Sequence, residues 1–145
     1  MSNFASKGKN TVAVFGATGH TGHFVIAELS RRNMTPIAIA RNAKTLSQAQ
    51  FPQNDILRRQ ATIDNPASLD QALSGAQAVI NCAGPFVDTA DIVANAALRA
   101  RIHYVDVAAE QLSVGKTLEK FDAPARRACT ALGLVAYDKT RYMDD

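Results

Sequence analysis

The sequence predicts an α/β fold: a doubly wound parallel sheet of about six strands with helices on both faces. Short, near-continuous apolar runs alternate with amphipathic segments, the pattern of strands buried on both faces by crossover helices. The alternation covers the chain with no internal linker, repeat or low-complexity tract. At 145 residues there is room for one domain, able to bury about two-thirds of its unfolded surface without disulfide or metal support.

The expected strands are residues 12–15, 36–40, 56–63, 78–82, 104–107 and 134–137. Between them, helical patterns run over 20–32, 43–50, 66–73 and 89–101, followed by a region from 110 to 132 that Pro124 is expected to split. Pro66 suits a first helical turn, where its missing N–H does no harm, and Gly75 suits the end of the same helix. Asp88 is a candidate cap for the helix after "GPFV". Residues 1–10 read as a disordered leader, 11–138 as the domain and 139–145 as a polar tail.

Composition removes several function classes. No apolar run approaches the roughly 20 residues of a membrane helix, and "MSNFASKGKN" lacks the apolar core of a secretory signal. Cys82 and Cys129 form no CxxC, so neither a disulfide framework nor a zinc site is expected, and a reducing cytoplasm is the default. The net charge of +3 is spread over pairs, Arg31–Arg32, Arg58–Arg59 and Arg126–Arg127, with no aromatic ladder beside them. We read these as solvated helix and strand ends and expect no nucleic-acid partner.

The informative stretch is "TVAVFGATGHTGHFVIAELSRR", residues 11–32. Gly16, Gly19 and Gly22 leave a strand and open a helix, the context that makes a glycine pattern a dinucleotide fingerprint of a Rossmann-like fold. Gly16 permits the tight turn, Gly19 lets backbone approach a pyrophosphate, and Gly22 brings helix and strand together. The pyrophosphate then faces the positive helix end near His20. Ala17 and Thr18 keep the approach open, and the hydroxyls of Thr18 and Thr21 are candidate phosphate donors. The spacing is GxxGxxG, the "GATGxxG" form of short-chain and extended dehydrogenase-like folds.

At the end of the second strand, an NAD-preferring fold presents a carboxylate to the ribose 2′-hydroxyl. This chain has Arg41 there, in "IAIARNAK", and no acid until Asp55. A guanidinium pairs with a 2′-phosphate that a carboxylate would repel, so NADP is expected in preference to NAD. The alternative is that Arg41 merely ends a strand in solvent. Asp64 is placed either to accept from an adenine amino group or to cap the helix before Pro66. Ala83, Gly84, Pro85 and Phe86 close the fourth strand and should line the same crevice. Cys82 reads as a small buried hydrophobe.

No catalytic constellation is evident. The Tyr-x-x-x-Lys pair of short-chain dehydrogenases is missing, since Ala108 and Arg141 follow Tyr104 and Tyr137 by four residues. His20 and His23 have no third ligand at metal-site spacing, so no metal is expected. His20 fits beside phosphate, and His23 reads as a solvent or packing residue. GxSxG, HExxH and GxxxxGK[ST] do not occur.

Taken together, "VFGATGHTGHFVIAEL", "ARN", "DNPASLDQAL", "AVINCAGPF" and "ALRARIHYVDVAAE" resemble the N-terminal NADP-binding domain of the saccharopine dehydrogenase family, including its trans-acting enoyl reductase-like branch. The resemblance implies a nicotinamide-dependent oxidoreductase whose following domain shapes the substrate site. It places Gly16, Thr18, Gly19, His20, Thr21 and Gly22 in the phosphate loop and Arg41 at the 2′-phosphate. Ala83, Gly84, Pro85 and Phe86 would flank the cofactor toward the nicotinamide, and Tyr104 and Asp106 would match a "YVD" segment of structural or substrate-proximal role. Family members continue into a substrate domain, whereas this chain ends "LGLVAYDKTRYMDD". We therefore expect a truncated form that lacks that domain, takes a small-molecule substrate only if one is supplied, and is open to self-association. The alternative is a non-catalytic NADP-sensing or regulatory module.

Overall fold

The computed structural model describes residues 10–53, 56–107, 111–127 and 132–134. Six strands form one sheet: β1 (Thr11–Phe15), β2 (Thr35–Ala40), β3 (Leu57–Gln60), β4 (Ala78–Asn81), β5 (His103–Asp106) and β6 (Leu132–Leu134). Five helices connect them: α1 (His20–Arg31), α2 (Ala43–Gln48), α3 (Pro66–Ala72), α4 (Phe86–Ala100) and α5 (Gln111–Arg127). The strand order is β3-β2-β1-β4-β5-β6, and every pairing is parallel.

Alternation along the central strands explains the two layers. Ala13 and Phe15, with Ile37, Ile39 and Val79, face α3, α4 and α5 and pack on Leu69, Val93, Ala97 and Phe121. Val12, Val14, Ala38 and Ala40 face the other way, onto Ile26 and Leu29 of α1 and Leu46 of α2. Because successive side chains point to opposite faces, a strand covered on both sides must be apolar at every position. All five residues of β1 are accordingly buried.

Pro36 lies within β2, an inner strand, where a proline is ordinarily excluded. The N–H of Thr35 donates to Asn10 of the β1 side, so position 36 turns toward β3. Pairing with β3 starts only at Ile37, opposite Leu57, and no ladder donor is lost.

Several boundaries differ from the sequence reading. The helix after "GP" starts at Phe86 with Pro85 at its N-cap, so Asp88 sits inside the first turn and does not cap it. Asn65, not Asp64, caps α3, its side chain accepting from the Ser68 N–H. Pro124 does not split α5, which runs continuously through it. Phe121 and Ala125, one turn apart, are both buried, and burying that pair outweighs the backbone bond that proline removes. The sixth strand lies at Leu132–Leu134; the expected span 135–137, the leader 1–9, Cys129 and the tail 139–145 are outside the described residues.

The basic pairs behave in two ways. Arg31 and Arg32 are exposed and both bind Glu28 on α1. Arg58 and Arg59 are not solvated strand ends as expected. As neighbours on a strand they point to opposite faces, and each reaches the carboxyl end of the helix on its side. Arg58 Nη1 donates to the carbonyls of Leu46 and Ala49 at 2.6 and 2.8 Å, and Arg59 Nη1 to those of Ala72 and Ser74 at 3.0 and 2.7 Å. Each guanidinium thereby satisfies orphan carbonyls at the negative end of a helix. Among the described residues no helix is long and apolar enough to cross a membrane.

Candidate functional site

The registers bring the carboxyl ends of the strands to one rim: Phe15 lies beside Ile39 and Asn81, and Asn81 beside Asp106. Between β1 and β4 successive connections leave in opposite directions along the sheet, which opens a crevice at that point. Gly16 and Ala83 meet across it. Gly16 has φ +82°, and a Cβ there would lie 2.8 Å from the Ala83 nitrogen and 2.9 Å from the Cys82 carbonyl carbon. Its N–H and that of Ala17 both donate to the Ile39 carbonyl at 3.0 Å, while the Cys82 N–H donates to Phe15 at 2.8 Å.

The three glycines of the loop have separate reasons. At Gly22 a Cβ would sit 2.2 Å from the Gly16 carbonyl oxygen, so only glycine lets α1 pack this close to its own loop. Gly19 is different. Its backbone is ordinary extended chain, φ −76° and ψ 170°, and a Cβ would meet only the Gly16 oxygen, at 3.4 Å. Neither strain nor packing demands glycine there, and what a side chain would occupy is the space over the amino end of α1.

That helix end is open. Among the described residues no side chain caps α1 or α4, whereas Asn42 caps α2 by accepting from the Lys44 and Thr45 N–H groups, and Asn65 caps α3. The first N–H groups of a helix have no partner within it, so those of α1 remain directed at the rim. Around them Thr18 is half-buried, and His20 and Thr21 are exposed. His23 is a packing residue: its Nδ1 donates to the Gly19 carbonyl at 2.9 Å, and its ring lies 5.1 Å from that of Phe51. The Arg58 guanidinium covers Phe51 at 4.8 Å, tying the amino end of α1 to α2. His20 meets Phe24 edge-on at 5.0 Å. A lateral cleft of about 480 Å³ runs from Thr18 and His20 past Phe24 to Gln50 and Pro52. Arg41, Asp64 and the 83–85 segment do not line it.

Arg41 follows β2 at the rim, exposed, with its backbone carbonyl held by the Gln60 side chain at 2.9 Å. Its guanidinium makes no ion pair among the described residues. Asp64 is exposed beyond β3, and Gly84 and Pro85 are exposed beyond β4. Phe86 begins α4. Cys82 is half-buried, and that burial pushes its thiol up to about 12, which leaves it protonated at neutral pH.

Beneath the 83–85 segment lies a buried polar cluster that the sequence reading did not assemble. Asn81, Thr89, Tyr104 and Asp106 are all buried on the α4 side of the sheet. Asn81 Nδ2 donates to Thr89 Oγ1 at 3.1 Å and to the Tyr104 hydroxyl at 3.2 Å, and its Oδ1 accepts from the Ala83 N–H at 3.0 Å. Thr89 Oγ1 donates to the Ala83 carbonyl at 2.7 Å, and the Tyr104 hydroxyl to Asp106 Oδ2 at 2.8 Å. Burial, with the Asp106 carboxylate beside it, drives the Tyr104 phenol well above its ordinary range, so it stays a donor. The available signal was one polar residue, Asn81, ending an otherwise apolar strand.

Comparison with known proteins agrees with this architecture. The family described as the saccharopine dehydrogenase NADP binding domain matches residues 12–136. A saccharopine dehydrogenase-like oxidoreductase of Rattus norvegicus is 31% identical over 117 residues, covering 68% of this chain and 27% of the relative. The human counterpart is 27% identical over the same coverage. Among solved structures, Citrobacter sp. triphenylmethane reductase complexed with NADP(H) superposes with a TM-score of 0.65 at 24% identity, over 85% of this chain and 48% of that one. The apo saccharopine dehydrogenase (L-Glu forming) of Saccharomyces cerevisiae gives 0.66 at 14%, over 86% and 26%. At those identities the two structures speak to the fold alone. The chain spans about a quarter of the length of the curated relatives it matches.

Proposed function

Since the chain belongs to the saccharopine dehydrogenase NADP-binding domain family, we propose that it holds NADP across the β1–β4 crevice as the cofactor half of a saccharopine dehydrogenase-like oxidoreductase. The observation that carries the placement is Gly19, whose missing side chain serves neither packing nor backbone strain. It lies over an uncapped helix end, where backbone N–H groups and the helix dipole suit a pyrophosphate. Gly16, Ala17, Gly19 and Gly22 bring backbone to the phosphates, and Thr18, His20 and Thr21 surround them. Arg41 takes the 2′-phosphate, and Asp64 the adenine amino group. Ala83, Gly84, Pro85 and Phe86 flank the nicotinamide.

Bound there, NADP supplies the hydride chemistry, and this chain's residues supply binding and orientation. We further propose that residues 11–138 form the cofactor domain and that a small-molecule substrate is held together with a second domain. The family resemblance and the quarter-length match to relatives support that division. A reducing, cytoplasmic setting fits the scarcity of cysteine.

Calorimetric titration with NADP and NAD tests the reading. NADP is expected to bind more tightly, and Arg41→Ala to weaken it about ten- to hundredfold, the worth of a charge-assisted contact, while NAD changes little. Equal affinity for both cofactors, or an unchanged ratio in the variant, removes Arg41 from the site.

A further inference from the structure

Resting on that reading, we propose that Tyr104 is a positioning residue for the nicotinamide half of the cofactor, acting through Asn81 and Thr89 on Ala83. An amide side chain can be turned end for end, and a hydroxyl can give or take, so Asn81, Thr89 and the Tyr104 hydroxyl take their directions from the groups of fixed polarity at the two ends of the cluster, the Asp106 carboxylate and the backbone of Ala83. The Asp106 carboxylate only accepts, and it therefore makes the Tyr104 hydroxyl the donor at 2.8 Å. The phenol oxygen then presents lone pairs to Asn81, drawing its NH2 group inward at 3.2 Å. The same orientation leaves Asn81 Oδ1 facing the Ala83 N–H, which can only donate, at 3.0 Å, so the anchor at Asp106 and the backbone at Ala83 require one and the same arrangement. It also sets a second N–H against Thr89 Oγ1, whose own proton goes to the Ala83 carbonyl at 2.7 Å.

Both backbone polar groups of Ala83 are thus held by buried side chains, and Ala83, with the Cys82 carbonyl carbon, occupies the space a side chain at Gly16 would need across the crevice. Tyr104 and Asp106 are both nearly fully buried. Their influence passes through Ala83 to Gly84 and Pro85, which lie on the nicotinamide side. The phosphate loop and Arg41 stand on β1, α1 and β2, outside the cluster.

The test uses two ligands, NADP and adenosine 2′,5′-bisphosphate, which lacks the nicotinamide half. Tyr104→Phe keeps the ring and removes the hydroxyl. It is expected to weaken NADP about tenfold, the value of one lost buried hydrogen bond, and to leave the bisphosphate within about twofold. Amide hydrogen exchange without ligand should show the Ala83 N–H opening faster while those of β1 are unchanged. Thr89→Val, which frees the Ala83 carbonyl without touching Tyr104, should reproduce the selective loss and carries the test if Tyr104→Phe does not fold. Equal weakening of both ligands, or no change in NADP affinity with an unaltered Ala83 amide, overturns the positioning role. Failure of the unsubstituted chain to bind either ligand overturns the cofactor reading itself.

Discussion

An alanine at position 22 would put its methyl carbon 2.2 Å from the Gly16 oxygen, closer than any contact a folded chain sustains. Helix α1 would have to move off its loop, and Gly22→Ala is expected to destabilise the domain by roughly 3 kcal/mol, the upper end for overpacking. Gly19→Ala meets no such obstacle. We expect it to leave the melting temperature nearly unchanged and to weaken NADP at least tenfold, because the new methyl stands where phosphate is proposed to lie. Thermal unfolding and titration of the two variants separate a glycine needed for packing from one needed for a ligand. The motif spacing identified all three positions and proposed a task for each; the structure adds the distances, 2.2 Å to the Gly16 oxygen at Gly22 against 3.4 Å at Gly19, that make the two substitutions separable.

Helix ends show the same dependence on context. Asn42 and Asn65 were ordinary polar residues in the sequence and are caps in the structure; Asp64 and Asp88 were plausible caps and are not. Helix α3 starts at Pro66 as expected, which leaves Asn65 and not Asp64 at its cap, and α4 starts at Phe86, three residues before the expected 89, which puts Asp88 inside its first turn. On α1, Glu28 accepts from both Arg31 and Arg32, and those contacts hold its carboxyl at about 2, against an ordinary 4.5. With the folded value depressed, this group's stabilisation is present above pH 4.5 and is lost as pH falls toward 2. The carboxyl is fully exposed, so its effect on the whole domain is small and screened by salt. Carbon-detected NMR titration should place its midpoint well below that of an unpaired glutamate, and Arg31→Ala should raise it.

The fold as a whole was legible because its signal is repetitive: apolar runs and helical patterns alternate, and parallel strands need crossovers. The sheet order β3-β2-β1-β4-β5-β6 then places the β1 and β4 loops side by side, though 60 residues and more separate them in the chain. A ligand that bridges these loops ties the two halves of the sheet together and should stabilise the native state by mass action. At a hundredfold excess over its dissociation constant, NADP is expected to raise the melting temperature by roughly 5–10 °C. NAD at the same concentration should give less, and equal shifts would contradict the preference assigned to Arg41.

Local pattern was sufficient for the parallel α/β class, the glycine loop and the basic residue after β2, because each depends on residues near one another in the chain. Tertiary structure alone decided the rest. Arg58 and Arg59 became helix caps because a strand sends neighbours to opposite faces, where two different helices end. Pro124 stayed within a helix because Phe121 and Ala125 had a core to enter. Asn81, Thr89, Tyr104 and Asp106 formed one cluster because β4, β5 and α4 converge beneath Ala83. Buried polar groups need partners, and which partners they find is a property of the assembled sheet and helices, not of any single stretch of sequence.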